Sequence, residues 1–347
     1  MILGNERFRT VVIVRCLHKY HIPKEVITMY YVGIDLGGTN IVAGVVDENF
    51  KIIAKADCKT AVPRPESEIC DSMASVTMQA LAKAEVSLED VEWVGIGVPG
   101  AVDPETGIIE YSANFGFHNW KIVKMMEERL GKKVLIENDA NAAAYGEYLA
   151  GAAKGSTNAV AITLGTGVGG GIIIDGKIYS GSNKAGAELG HMVIVHNGRH
   201  CNCGRNGCWE AYASATGLIN LTKEAIENEN PLQSFMLKSV NGDISKVNGI
   251  TAFNAMREGD KVGTAVVKEY IGYLATGIVN VINIFQPDVL CIGGGISKEG
   301  DNLITPLMKI VEKERYTKHN DKQTLVCVAK LGNDAGVIGA ALLGNLA

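Results

Sequence analysis

No segment of the 347-residue chain reads Gly-x4-Gly-Lys-Ser/Thr, so a bound phosphate could not rest in a lysine-bearing glycine loop and would need another cradle. Excess charge is also scarce. The net charge of -5 gives no electrostatic reason to bind nucleic acid or an anionic membrane. Glycine, Asp or Asn interrupts every long apolar stretch before the roughly 18 residues that a spanning helix needs, so no membrane helix is expected. Val11 to Val14 is cut short by Arg15 with no small-residue cleavage site after it, and no secretion signal is read. Cys16, Cys58, Cys70, Cys291 and Cys327 are scattered rather than arranged as a disulfide framework. Without a secretion signal they read as reduced thiols of a cytoplasmic protein.

What is present is apolar and rich in glycine. A hydrophobic content of 47% against 20% charged residues argues for a folded chain long enough for two domains, each with its own core. The 41 glycines fall in turns and small-residue helices, which suggests close backbone approach to ligands. Residues 32 to 53 form the organising stretch. Val32, Ile34 and Leu36 alternate into the turn Gly37-Gly38-Thr39, the chain returns through Ile41 to Val46, and Asp47-Glu48-Asn49 turns it again, giving a three-stranded meander. A glycine turn lets backbone N–H groups approach an anion, and Asp35 is the one charge between Val32 and Val46, a combination suited to a magnesium nucleotide. Residues 160 to 178 repeat the pattern without a gap, placing Val160, Ile162, Leu164, Gly165 and Asp175 on Val32, Ile34, Leu36, Gly37 and Asp47. Two copies predict two similar halves, with Thr163 where the first has Asp35. A cleft between them would grip a polyphosphate from both sides. Ordinary tight turns are the plainer alternative.

Between and after the repeats the chain alternates helix and strand. A helix is expected over Glu66 to Glu85, a buried strand over Val91 to Val98, a turn at Pro99-Gly100 reaching the cleft edge, and a second turn from Asp103 to Gly107. This order predicts a mostly parallel α/β sheet flanked by the antiparallel meander. The polar and aromatic run Tyr111 to Trp120 is a composition suited to sugars, although Phe115 and Trp120 could equally be core. A helix over Ile122 to Leu130 and a strand over Val134 to Glu137 follow. Asn138-Asp139-Ala140-Asn141 then opens a helix to Ala150, with Asp139 at the N-cap position. The carboxyl end of a strand between two repeated halves is also where α/β folds bind ligands, which favours chemistry for Asp139 over capping alone. Further on, helices are expected over Ala211 to Glu227 up to a break at Asn230-Pro231, within Gly249 to Gly259, and from Lys261 to Phe285. The last has a small-residue face of Gly272, Ala275, Thr276 and Gly277. A buried strand from Pro287 ends in Gly293, Gly294 and Gly295, and Gly332 to Gly336 caps a closing helix over Val337 to Leu343.

Cys201, Cys203 and Cys208 stand in C-x-C-x4-C spacing around two glycines, shortly after Glu188-Leu189-Gly190-His191. Three thiols and a histidine make a tetrahedral donor set suited to Zn2+, and four protein ligands make the site structural. Strand alternation would put His191 with Val193 and Val195 on one face and His196 on the other, and His200 adjoins Cys201 too closely to chelate easily. The metal would staple a long loop so that Glu188, His191 and Glu210 are held in place.

Asp35-Leu36-Gly37-Gly38-Thr39 with Leu164-Gly165-Thr166-Gly167 resembles the phosphate motifs of the sugar kinase, actin and Hsp70 superfamily, and the cysteine motif narrows the resemblance to the ROK family of bacterial sugar kinases, over residues 29 to 347. The resemblance implies a two-domain α/β actin-like ATPase fold, ribonuclease H-like in each half, with nucleotide and sugar in the interdomain cleft. By it residues 29–141 with 331–347 form the small domain and 142–330 the large one, while 1–28 are read as an extension, rather than a DNA-binding arm, that precedes the fold. Asp139 matches the family's catalytic base. Asn114, Asn138, Asp139, Glu188, His191 and Glu210 match its sugar contacts, and His191 could serve zinc and sugar through different ring nitrogens. Asp35, Gly37, Gly38, Thr39, Asn40, Gly165, Thr166, Gly167, Gly293, Gly294 and Gly295 match its ATP contacts. The implied reaction is phosphorylation of the 6-hydroxyl of a hexose, glucose first, by ATP with Mg2+. N-acetylmannosamine, N-acetylglucosamine or fructose are alternative acceptors and polyphosphate an alternative donor. A homodimer or higher homo-oligomer is implied, with no nucleic acid or membrane partner. Sugar-responsive repressors of the same family are the rival of a different class, disfavoured because 28 residues are too few for a winged helix-turn-helix.

Overall fold

The computed structural model describes residues 29–112, 115–228 and 234–346. The expectations for 1–28, for Asn114 and for the break at Asn230-Pro231 lie outside them. The first half runs β1 (Tyr30–Leu36), β2 (Asn40–Asp47), β3 (Ile52–Lys59), α1 (Glu66–Ala84), β4 (Val91–Val98), β5 (Ala101–Asp103), β6 (Ile108–Ser112), β7 (Phe117–Trp120), α2 (Ile122–Leu130), β8 (Val134–Asn138) and α3 (Asp139–Ala150). After it come β9 (Ala159–Leu164), β10 (Val168–Ile174), β11 (Lys177–Ile178), α4 (Glu210–Ala213), α5 (Ala215–Glu227), α6 (Phe235–Ser239), α7 (Thr251–Arg257), α8 (Lys261–Phe285), β12 (Val289–Gly294), α9 (Asp301–Glu314), β13 (Leu325–Val328) and α10 (Ala335–Ala341).

The repeat is visible as sheet topology. One five-stranded sheet has the order β3-β2-β1-β4-β8 and the other β11-β10-β9-β12-β13. In each, a meander pairs antiparallel and the central strand continues parallel to two later strands. The gapless alignment fails at both turns. Leu36 pairs with Ile41 across four residues, whereas Leu164 pairs with Val168 across three. Val46 pairs with Ile52 across five residues, whereas Ile174 pairs with Lys177 across two. The strands form because Val32, Ile34 and Leu36 are fully buried, as are or nearly so Val160, Ile162 and Leu164. Full burial on both faces is what short runs of β-branched residues provide in a parallel sheet. The small sheet β5-β6-β7 carries Trp120, which is fully buried and meets Phe115 and Phe117 edge-on at 6.0 and 5.2 Å, so these rings are core.

Three local expectations are corrected. Leu189–His191 is a single 3-10 turn and not a strand, because Glu188 to Met192 closes on itself through His191 N to Glu188 O at 3.1 Å. The helix expected over Ala211 to Glu227 is two helices, broken where the Ser214 side chain turns back to cap Gly217 N. The closing helix starts earlier, at Ala335, after a 3-10 turn over Gly332–Asp334. Helix α8 is long and apolar enough to cross a membrane by length and composition, yet 61% of its apolar window is buried in the protein, which makes it the core helix of the second half. Its small-residue face has a use: a Cβ at Gly277 would collide with the Trp209 ring, whose Nε1 donates to Tyr273 O at 3.0 Å.

Helix α10 returns the chain to the first sheet, where it lies on β1 and β4 and crosses α3. A Cβ at Gly33 or Gly95 would strike the α10 backbone at Val337 O or Ala340 O, and one at Gly339 would strike Ala142 O of α3. These glycines permit backbone contact that larger residues forbid. Gly339→Val is therefore expected to destabilise the protein by at least about 1–3 kcal/mol, the usual penalty of overpacking. Thermal or denaturant unfolding checks this, and an unchanged midpoint would show that α10 and α3 have slack.

Candidate active site and metal centre

One cleft of about 590 Å³ runs between the two sheets, bounded by the carboxyl ends of β1, β8, β9 and β12 and by the start of α3. It brings together Asp35, Asn138, Asp139, Gly165, Gly167, Glu188, His191, Glu210, Gly293 and Gly294, residues more than 250 positions apart at the extremes. Pro99 and Gly100 also line it, as the turn at the cleft edge predicts. Gly37, Gly38, Thr39, Asn40, Thr166 and Gly295 do not line it. The first glycine turn, one residue longer than the second, lies outside the cleft lining with Thr39 and Asn40 exposed, held by Gly37 N donating to Asn40 O at 2.9 Å and Thr60 Oγ1 to Gly37 O at 2.6 Å.

Asp139 is the first residue of α3 and not its cap. Asn138 caps the helix, its Oδ1 accepting from Ala140 N at 2.9 Å and Asn141 N at 3.2 Å while its Nδ2 donates to Gly100 O at 3.1 Å. Glu137, buried beneath, accepts from Asn138 N at 2.9 Å and from Asn141 Nδ2 at 3.0 Å, which fixes the turn from below. With capping assigned to Asn138, Asp139 is released for other work. Its Oδ1 accepts from Ala140 N at 2.9 Å, and burial pushes its pKa up against that hydrogen bond. Asp35 ends β1 across the cleft, and burial together with the Asp139 charge raises it from 3.8 to about 6. Burial likewise raises Glu188, which His191 offsets and Asp139 and Glu210 reinforce. The described lining holds carboxylates at Asp35, Asp139, Glu147, Glu188 and Glu210. So many carboxylates in a partly desolvated cleft disfavour one another's charge and favour a cation or hydroxyl donors.

The second glycine turn is held from behind. Gly165 N donates to Gly167 O at 3.0 Å, Ala215 N to Gly165 O at 2.8 Å, Thr216 Oγ1 to Thr166 O at 2.8 Å and Val168 N to Glu210 Oε2 at 3.0 Å. A Cβ at Gly167 would meet Glu210 Oε2, so a larger residue there would push the Glu210 carboxylate off Val168 N.

His191, Cys201, Cys203 and Cys208 each offer a ligand atom within 4.8 Å of the others. Cys201 Sγ lies 3.6 Å from His191 Nδ1, and Cys203 Sγ lies 3.6 Å from Cys208 Sγ. Zn–S bonds of about 2.3 Å in a tetrahedron set ligand edges near 3.8 Å, so the donors fit Zn2+ in number, type and spacing. His191 turns its other nitrogen, Nε2, to Glu188 Oε2 at 4.0 Å on the cleft side. Glycine at 207, with φ +86°, lets the loop press on Val195 O where a Cβ would collide. His200 is diverted to Asn206 Oδ1 at 3.2 Å.

Some cleft residues carry no sequence signal of their own. Glu147 sits on α3 beyond the Asn-Asp-Ala-Asn string, and Asn333 belongs to a segment legible only as a helix start, yet both line the cleft. Position one helical turn after turn along α3 from Asp139 is the signal that points to Glu147.

The ROK family model matches residues 31–345. A glucokinase of Thermotoga maritima is 38% identical over 313 residues, covering 89% of this chain and 95% of that protein. A glucokinase of Streptomyces coelicolor is 36% identical, covering 89% and 96%. The crystal structure of a ROK family glucokinase from Streptomyces griseus in complex with glucose and AMPPNP superposes with a TM-score of 0.75 at 34% identity, covering 90% of this chain and 98% of that one. A match of this length, on a chain whose duplicated sheets enclose the acidic cleft and whose cysteine loop borders it, means that the chain belongs to the ROK family.

Proposed function

We propose that this chain is a glucokinase, transferring the terminal phosphoryl group of ATP to the 6-hydroxyl of glucose. Hexose kinase activity follows from relatives at 36–38% identity and from the glucose and AMPPNP complex of the Streptomyces griseus enzyme. The observation that carries the mechanism is Asp139 at the N-terminus of α3, freed from capping by Asn138 and facing Asp35 across the cleft. One Asp139 oxygen is held by Ala140 N, which leaves the other to accept the proton of the sugar hydroxyl. The helix N-terminus opposes the rise that burial causes, so Asp139 is a moderate base. In a loose phosphoryl-transfer transition state, orienting the nucleophile matters as much as removing its proton. Asn138, Glu188, His191 and Glu210 form the sugar side we assign, and the family resemblance adds Asn114 as a further sugar contact. Gly165, Gly167, Gly293 and Gly294 stand on the nucleotide side, with the outer turn of Gly37, Gly38, Thr39 and Asn40, Thr166 and Gly295 completing the set on closure. Mg2+ arriving with ATP would neutralise phosphate charge, and Asp35 is the carboxylate placed to face it.

The lobes we assign are 29–141 with 331–347, and 142–330, closing about position 141 to exclude water. A structural Zn2+ held by His191, Cys201, Cys203 and Cys208 would supply rigidity to the loop that carries Glu188 and ends at Glu210. The acceptor alternatives are the N-acetylated hexosamines and fructose. The retained Asp35 and Asp139 favour an enzyme over a sugar-responsive repressor. A reducing cytoplasm suits the seven described cysteines, all of them free. A coupled assay over hexoses and hexosamines with ATP and with polyphosphate tests the reading, and failure to phosphorylate any of them would end it.

Three outcomes follow. Asp139→Asn should lower kcat by a factor on the order of 10³ or more while sugar affinity stays within a fewfold, as expected of a general base, and a variant with a tenth of the activity would remove Asp139 from that role. Because Asp35 is raised from 3.8 to about 6, the folded state binds its proton more tightly than the unfolded one, so its contribution falls as pH rises through that window. Asp35→Asn should accordingly abolish activity yet unfold at a higher temperature than the parent at pH 8, the gap closing toward pH 4; a variant less stable at pH 8 would contradict the buried-charge assignment. Metal analysis should find about one zinc per chain, and Cys203→Ser or a strong chelator should raise the sugar KM and lower stability. Zinc-free protein with unchanged sugar kinetics would exclude the site.

A further inference from the structure

Glu147 is buried to 2% exposure on the cleft-facing side of α3, and among the described residues no Lys, Arg or His pairs with it. Its carboxylate is instead filled by backbone. Oε2 accepts from Ala152 N at 2.7 Å and Lys330 N at 3.0 Å, and Oε1 accepts from Leu331 N at 2.7 Å. The three donors belong to two segments far apart in sequence: the exit of α3, and the loop between β13 and α10. Charge-assisted bonds of this kind are the stronger class, and a buried carboxylate that satisfies them holds both segments at one spacing.

That loop matters for the nucleotide. Ala329 N donates to Ile292 O at 2.9 Å, which seats the loop beside the end of β12, where Gly293 and Gly294 line the cleft. Immediately beyond Leu331, Gly332 and Asn333 line it as well. The same α3 begins at Asp139. Glu147 therefore stands between the helix bearing the proposed base and the wall on the nucleotide side. Its place is also guarded by Gly151, where a Cβ would collide with Glu147 Oε2.

We propose that Glu147 is a positioning residue for the nucleotide, acting through the backbone of Lys330 and Leu331 to set the Gly332-Asn333 wall against α3. The proposal rests on the assignment of that side of the cleft to ATP under the proposed function. Glu147→Gln removes the charge and one acceptor, whereas Gly151→Ala displaces the carboxylate without removing it. Both should weaken binding of AMPPNP with Mg2+, measured by titration calorimetry on the full chain, by about tenfold, the loss of one hydrogen bond to a charged group. Glucose binding should change less than twofold. The double variant should be no weaker than the worse single one, because both act through the same bonds. A lower unfolding temperature with unaltered nucleotide affinity in both variants would reduce Glu147 to a structural residue, and equal losses for glucose and nucleotide would overturn the proposal too. A parent protein that binds the nucleotide but phosphorylates no hexose would defeat the proposed reaction while leaving the Glu147 result readable from the titration.

Discussion

The backbone contact of α10 with β1, β4 and α3 is the constraint on which the architecture depends. Gly33, Gly95 and Gly339 each meet main chain where a Cβ would collide, so the last helix lies close against the first sheet and against the helix that begins at Asp139. Close packing forfeits its dispersion energy quickly with small gaps, so such a contact is either made fully or lost. Through it the end of the chain packs against the middle of the chain. Helix α3 in turn lies on β9 and β10, so it touches elements of both sheets.

On that frame the cleft is an electrostatic arrangement more than a shape. Carboxylates at Asp35, Asp139 and Glu188 are all shifted upward by burial, and the Asp139 charge raises Asp35 and Glu188 further. Such a cleft is poised to receive a divalent cation and neutral hydroxyls, both of which relieve the repulsion. The division of labour between Asn138 and Asp139 is part of the same design. The amide satisfies the helix N–H groups, so the carboxylate beside it keeps an oxygen free.

The cysteine loop is tied to more than the Glu188 side of the cleft. Glu210 reaches Cys201 Sγ at 3.6 Å through Oε1 and Val168 N through Oε2, while Ala215 and Thr216 hold the Gly165–Gly167 turn. Trp209, anchored on α8 against Gly277, fixes the far end. A metal among these thiols would thus stiffen one connected unit that runs from Glu188 to the second glycine turn.

Much of this was legible in the residues alone. The alternation around Val32 and Val160, the paired glycine turns and the C-x-C-x4-C spacing are local patterns whose periods and donor types dictate two meanders and a loop that gathers thiols. The gathering of Asp35, Asp139, Glu188 and Gly293 into one cleft followed from the repeat and the family resemblance. Tertiary structure alone decided what depends on distance across the fold. It made the second turn one residue shorter, since strand register is set by pairing partners and not by alignment. It turned the His191 segment into a 3-10 turn, because the His191 N to Glu188 O bond and the Val193 to Cys208 bridge outrank alternation over so short a stretch. It gave the cap to Asn138, a choice between adjacent residues that φ and ψ make and composition does not. It also brought Lys330 and Leu331 to Glu147, more than 180 positions away, a contact with no trace in spacing because its donors are main-chain amides that every sequence possesses.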